Sequence, residues 1–60
     1  MSAIQEGKCA YAVGSSPDAN PYRKAKQSMA EYDDTLYWNL MDFECQWDSG
    51  YAIARLKVTA

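Results

Sequence analysis

The strongest constraint on the fold of this chain is a set of small and aromatic residues at helical spacing near its two ends. In the N-terminal set, Gly7, Ala10 and Gly14 lie three and then four positions apart. In the C-terminal set, Gly50, Tyr51 and Ala54 lie three, four and seven positions after Trp47. Separations of three, four and seven place residues on one face of a helix. We therefore expect the small residues of a first helix to form a smooth strip that receives the two rings of a last helix.

A first helix is predicted over residues 2–13. Ser2 is a suitable N-cap, because its hydroxyl can accept a hydrogen bond from an unpaired backbone amide of the first turn. Gly14 can end the helix, since glycine adopts the left-handed conformation without steric cost. The next five residues, Ser-Ser-Pro-Asp-Ala, are turn formers and predict a loop.

A second helix is predicted to begin after Asn20, which is a favoured N-cap. The proline that follows suits the first helical position, where its missing N–H costs nothing. We expect this helix to run to about Tyr32. The pair Asp33-Asp34 either interrupts it or caps a further helix that begins at Thr35.

Residues 35–58 fit either a helix or a β-hairpin. A helix there has one apolar stripe, formed by Leu36, Leu40, Phe43, Trp47, Tyr51 and Ala54. Strands would instead use the alternation of apolar and polar residues from Met41 to Asp48, with a turn at Asp48-Ser49-Gly50. Residues 36–48 contain no β-branched residue, which favours the helix. We predict an all-α fold, a small helical hairpin or three-helix arrangement, with an α+β fold carrying a C-terminal hairpin as the alternative.

A chain of 60 residues forms one small domain, residues 1–60, that buries only about 60% of the surface of its unfolded chain. Eight aromatic residues are more than one thin layer of helices can cover, so we expect a homodimer or a partner surface.

There is no histidine, and the two cysteines, Cys9 and Cys45, do not have the spacing of metal ligands. We expect no metal or cofactor, and two reduced, buried thiols in a cytoplasmic protein. No apolar run approaches the ~20 residues that cross a bilayer, so no membrane partner is expected.

Charge divides the chain into two unequal halves. Residues 1–30 contain four basic and two acidic residues, whereas residues 31–60 contain two basic and six acidic residues. Three of the four basic residues of the first half follow Pro21 closely, and the acidic residues of the second half are interleaved with aromatic ones. An acidic surface of this extent disfavours a broad nucleic-acid interface, because phosphate contacts supply most of the affinity of such interfaces.

The order of the small and aromatic residues resembles that of the ribosome modulation factor family. The resemblance covers about half of the chain and consists of Gly7-x-x-Ala10-x-x-x-Gly14, Asn20-Pro21-Tyr22, and Trp47-x-x-Gly50-Tyr51-x-x-Ala54. It implies two main helices, a cytoplasmic protein and binding to the small ribosomal subunit to modulate translation. The acidic and aromatic residues between the two blocks are particular to this chain.

Two binding functions follow as hypotheses, and neither involves catalysis or a small-molecule substrate. The first is association with the ribosome or its rRNA, through a tyrosine that stacks on a base and basic side chains that contact phosphates. Its candidate residues are Lys8, Tyr22, Arg23, Lys24 and Lys26. The chain has no phosphate-binding glycine loop, histidine base or activated nucleophile, so we do not expect an enzyme.

The second hypothesis is an acidic inhibitor or adaptor, of the kind that phages and mobile elements encode. It would bind a basic host protein or a nucleic-acid-handling complex, because complementary charge speeds and directs association. Exposed tyrosine and tryptophan would supply most of the binding energy. The candidate residues are Glu31, Tyr32, Asp33, Asp34, Tyr37, Trp38, Asp42 and Glu44.

Overall fold

Three α-helices and one short 3₁₀ helix make up the part of the protein that the structure describes. The structure, a computed structural model, describes residues 2–59, with side chains through residue 57. The helices are α1, Ala3–Ala12; a 3₁₀ helix, Pro17–Ala19; α2, Pro21–Gln27; and α3, Asp34–Thr59. The all-α prediction is confirmed. The hairpin alternative is wrong, because α3 continues without a break through Asp48-Ser49-Gly50.

The ends of α1 follow the signals in the sequence. Ser2 is the N-cap, and its Oγ accepts a hydrogen bond from the amide of Gln5 at 3.3 Å. At the other end Gly14 has a φ of 83° and donates its amide to the carbonyl of Tyr11 at 3.1 Å. The amide of Ser15 reaches the carbonyl of Ala10 at 2.9 Å, which completes a Schellman motif. The predicted start and stop of the first helix are confirmed.

The second helix is shorter than its sequence indicates. Its N-cap is Asn20, as predicted, but α2 ends at Gln27 instead of continuing to Tyr32. Asp33 begins a new helix, because its Oδ1 accepts the amide of Leu36 at 3.0 Å. A residue that caps the start of one helix cannot continue another, so residues 28–33 connect the two. The capping interpretation of Asp33-Asp34 is confirmed, and α3 begins one residue before Thr35.

The core lies where α1 crosses α3. Gly7 and Gly50 are both buried at this crossing. A Cβ on Gly7 would overlap the carbonyl of Trp47, and one on Gly50 would overlap the carbonyl of Ile4. The Trp47 ring is 2% exposed and stacks on Tyr51 with ring centroids 5.4 Å apart. Each glycine therefore allows the backbones of the two helices to touch.

Two details of the predicted packing are corrected. The α3 atoms nearest to Gly7 belong to the backbone of Trp47 and Tyr51, and Gly14 is exposed, with no atom within 4 Å of where its Cβ would be. The expected burial of the cysteines is wrong, because Cys9 and Cys45 are both exposed, with free thiols. Cys9 follows Gly7 by two residues and Cys45 precedes Trp47 by two. Two residues turn a helix by about 200°, so both thiols point away from the crossing.

Candidate functional site

The short helix α2 is attached to α3 by a buried polar network. No residue of α2 itself is buried, but its N-cap, Asn20, is 0% exposed. The Asn20 Oδ1 accepts the amides of Tyr22 at 3.0 Å and Arg23 at 3.4 Å. Its Nδ2 donates to the carbonyl of Glu44 at 3.1 Å and to Oδ1 of Asp48 at 3.0 Å. One side chain thus caps α2 and fixes its position on α3.

Two of the candidate RNA-binding side chains form ion pairs within the fold. The Arg23 Nε lies 3.2 Å from Oε2 of Glu44, and its Nη2 lies 2.9 Å from Oδ2 of Asp48. Lys26 Nζ lies 3.0 Å from the other oxygen of Glu44. The charges of Arg23 and Lys26 are therefore compensated internally. Glu44 does not belong to an exposed protein-binding surface, because its carboxylate is buried against these two cations.

Tyr22 also has partners inside the protein. Its hydroxyl donates to the carboxylate of Glu6, 3.0 Å from each oxygen, and its ring packs against Phe43 with centroids 5.4 Å apart. Burial raises the pKa of Tyr22, and the hydrogen bond to Glu6 raises it further. Of the five RNA-binding candidates, only Lys8 and Lys24 make no ion pair or side-chain hydrogen bond with the described part of the chain.

Aromatic rings and acidic side chains come together around the start of α3. The Tyr32 hydroxyl donates to Oδ1 of Asp34 at 2.9 Å, and the Trp38 Nε1 donates to the same oxygen at 3.2 Å. The Tyr37 ring lies between the other two, 5.4 Å from each by centroid. The hydrogen bond to Asp34 raises the pKa of Tyr32, and burial raises it further. One carboxylate therefore orients two rings that are 68% and 58% exposed.

We call this region and its rim the acidic–aromatic surface. Glu31, Asp33 and Asp42 are exposed around the rings. The surface comprises seven of the eight predicted protein-binding residues: Glu31, Tyr32, Asp33, Asp34, Tyr37, Trp38 and Asp42. Leu36, which the helical pattern assigned to the apolar stripe of α3, is instead 47% exposed. Leu36 lies in the first turn of α3, where the neighbouring Tyr32 and Lys26 side chains contact Tyr37.

A second surface feature, absent from the sequence analysis, is an open groove of about 570 Å³ along the C-terminal half of α3. Arg23, Asp48, Tyr51 and Arg55 line it, and Pro17 closes one end. The Tyr51 hydroxyl donates to the carbonyl of Ser15 at 2.8 Å and so ties the loop after α1 to this groove. Arg23 and Asp48 already pair with each other here, which leaves the groove with mixed charge.

In the described residues, no three side chains among Cys, Asp and Glu are grouped so that they could hold a metal ion. Within the same part of the chain, no helix has the length and apolarity needed to cross a bilayer.

Comparison with known proteins adds no relative. No protein-family model, no curated protein and no solved structure matches this chain. The resemblance to the ribosome modulation factor family therefore stays a prediction from the spacing of its residues.

Proposed function

We propose that this chain is a small non-catalytic protein that binds a basic surface of a partner protein through its acidic–aromatic surface. The observation that carries the proposal is the pair of hydrogen bonds from Tyr32 and Trp38 to Asp34. They hold two large, exposed rings in fixed positions. Ordering such side chains before binding reduces the entropy that binding must otherwise overcome.

Charge supports a basic partner. Four exposed carboxylates belong to the surface, on Glu31, Asp33, Asp34 and Asp42. The cation nearest to it in the structure, Lys26, is paired with Glu44. The surface is therefore not neutralised from within, and complementary charge would raise the association rate and orient the partner. Tyrosine and tryptophan are the residue types that most often dominate the binding energy of such interfaces.

Affinity capture from the source cell tests the proposal with variants that keep the fold. Asp33→Asn retains the N-cap of α3, because asparagine is an equally good cap, and Asp42→Asn changes an exposed side chain. We expect the wild type to retain a basic protein that the double variant loses. The control is Asp18→Asn, which removes an exposed carboxylate on the 3₁₀ helix.

The same capture at raised salt should weaken retention, since exposed charges are screened. Equal retention of the partner by the wild type and the Asp33→Asn/Asp42→Asn variant would contradict the proposal. So would a partner whose retention depends on Asp18.

Ribosome association is the second candidate, and it has the resemblance behind it. Of the five candidate RNA-binding residues, Lys8 and Lys24 are the basic ones that can contact phosphate without breaking an ion pair within the described part of the chain. We expect the protein to co-sediment with 30S or 70S particles at low salt, and Lys8→Gln/Lys24→Gln to weaken this without unfolding the chain. Absence of the wild type from ribosomal fractions at low salt would refute the candidate.

Two further properties belong to the proposal. We place the protein in the cytoplasm, where the proposed partners and reduced thiols are found. We also propose a homodimer, because large apolar side chains such as Ile53 and Leu56 are exposed on α3.

A protein of the proposed kind fits a phage or mobile element, which gains from a compact inhibitor of a host complex.

A further inference from the structure

We infer that the acidic–aromatic surface recognises an arginine side chain of its partner, and that it prefers arginine to lysine. The rings of Tyr32 and Trp38 and the carboxylate of Asp34 would hold the guanidinium group. This inference rests on the proposed function and names the chemistry that the surface selects.

The hydrogen bonding of Asp34 leaves room for such a ligand. Its Oδ1 accepts from both Tyr32 and Trp38, whereas its Oδ2 accepts from no donor in the described residues. A guanidinium group is planar, so it can stack on an aromatic face while its edge donates to a carboxylate. The Trp38 ring and the Asp34 carboxylate are joined by one hydrogen bond. They can therefore offer a face for stacking and an oxygen for hydrogen bonding to the same guanidinium group.

The contacts of Lys26 show which rings of the surface remain for a cation of the partner. Lys26 Nζ lies 5.3 Å from the centroid of the Tyr37 ring, so this ring already has a cation of the chain itself. That ammonium group also bonds to Glu44 and is half-buried there. The rings of Tyr32 and Trp38 are much more exposed. An exposed ammonium keeps its strong hydration, whereas a guanidinium is weakly hydrated and gains more from stacking.

The local electrostatics favour a cation over an anion. The N-terminus of α3 contributes a positive partial charge of roughly half a unit. Against this stand the carboxylates of Glu31, Asp33 and Asp34, each a full negative charge on or beside the first turn. The carboxylates outweigh the dipole several times, so the field at the rings attracts a guanidinium group and repels phosphate.

Two labelled peptides of equal charge provide the test, one with three arginines and one with three lysines in a Gly/Ser background. Binding is measured by fluorescence anisotropy of the peptides with the full chain at low salt. We expect the arginine peptide to bind at least about threefold more tightly. Trp38→Leu and Asp34→Asn should bring this ratio close to one, whereas Asp18→Asn should leave it unchanged.

The indole N–H resonances locate the contact. Trp38→Phe assigns the resonance of Trp38, which the arginine peptide should shift, while that of the buried Trp47 should not move. Equal affinity for the two peptides, or a ratio that persists in Trp38→Leu, would overturn the inference. A Trp38 resonance that moves with protein concentration alone, and not with peptide, would also overturn it and assign the surface to a second copy of the chain.

The result of the peptide test can be distinguished from the result of the capture experiment that tests the proposed function. Capture of a basic partner that depends on Asp33 and Asp42, together with no preference for the arginine peptide, defeats this inference alone. Arginine preference without any partner in the capture experiment defeats the proposed function and leaves the selectivity of the surface standing.

Discussion

At Gly7 and Gly50 the missing side chains decide how closely α1 approaches α3. Both residues lie inside helices, where glycine is less favourable than alanine by about 1 kcal/mol. The structure shows what offsets this cost, because any Cβ at either site would overlap a carbonyl of the opposite helix. The close approach brings Trp47 into the core and lets Tyr11 meet Tyr51 edge to face, with centroids 5.3 Å apart.

Gly7→Ala is therefore expected to destabilise the protein, against the trend for helical glycines. Helix propensity alone would raise the free energy of unfolding by about 1 kcal/mol, whereas overlap with the Trp47 carbonyl should lower it by about 2 kcal/mol. Urea denaturation measures the difference. The control is Ala52→Gly at an exposed site in the interior of α3, where we expect a loss of about 1 kcal/mol from propensity alone. A Gly7→Ala variant as stable as the wild type would show that the helices do not touch there.

At the scale of the element, α2 is a helix held by charge rather than by apolar burial. It has only seven residues, too few to be stable as an isolated helix. Its cap Asn20 and the side chains of Arg23 and Lys26 form one connected network with α3, with Glu44 at the centre. Because Arg23 and Asp48 are partly exposed, we expect the attachment of α2 to be more sensitive to salt than the α1–α3 crossing.

Arg23→Gln and Lys24→Gln form a matched pair that tests this attachment. Both remove one positive charge from α2, but only Arg23 pairs with Glu44 and Asp48. We expect Arg23→Gln to speed amide hydrogen exchange in α2 about fivefold, equivalent to about 1 kcal/mol of lost local stability. Lys24→Gln should change it little. Equal exchange in the two variants would mean that the ion pairs do not hold the helix in place.

At the scale of the whole molecule, the small core leaves much apolar surface uncovered. Only Ala3 and Trp47 are buried apolar side chains in the described residues, and Trp38, Ile53 and Leu56 are at least 40% exposed. The elongated form, 42 × 17 × 16 Å, spreads these side chains along α3. The acidic–aromatic surface and the C-terminal half of α3 are thus separate regions, one proposed for a partner protein and one for self-association.

Self-association predicts that thermal stability depends on protein concentration. Binding between folded copies stabilises them by mass action, so Tm should rise with concentration in the wild type. Ile53→Gln/Leu56→Gln should remove this dependence, whereas Ser49→Gln, at an exposed polar site of the same helix, should keep it. Sedimentation equilibrium gives the mass directly. A monomer at every concentration would refute the dimer.

Much of the helical framework was predictable because its signals are local. Ser2, Gly14 and Asn20 act through hydrogen bonds within one helical turn, and each has the predicted role. The end of α2 was placed too late, since the local pattern does not show that Asp33 prefers the cap of α3 to a place in α2. The grouping of Tyr32, Asp34 and Trp38 is also local, which is why most of the candidate protein-binding surface was identified.

The sequence by itself determined where α1 and α2 start and the acidic–aromatic character of residues 31–42, and it favoured the all-α class over the C-terminal hairpin. Only the tertiary structure decided which charges remain available: Arg23 meets Glu44 and Asp48 across 21 and 25 residues of chain. It also decided that the glycines serve contact between backbones and that the thiols face outward. The physical reason is that caps and helical periodicity act within a few residues, whereas the pairing of faces depends on how closely two helices can approach.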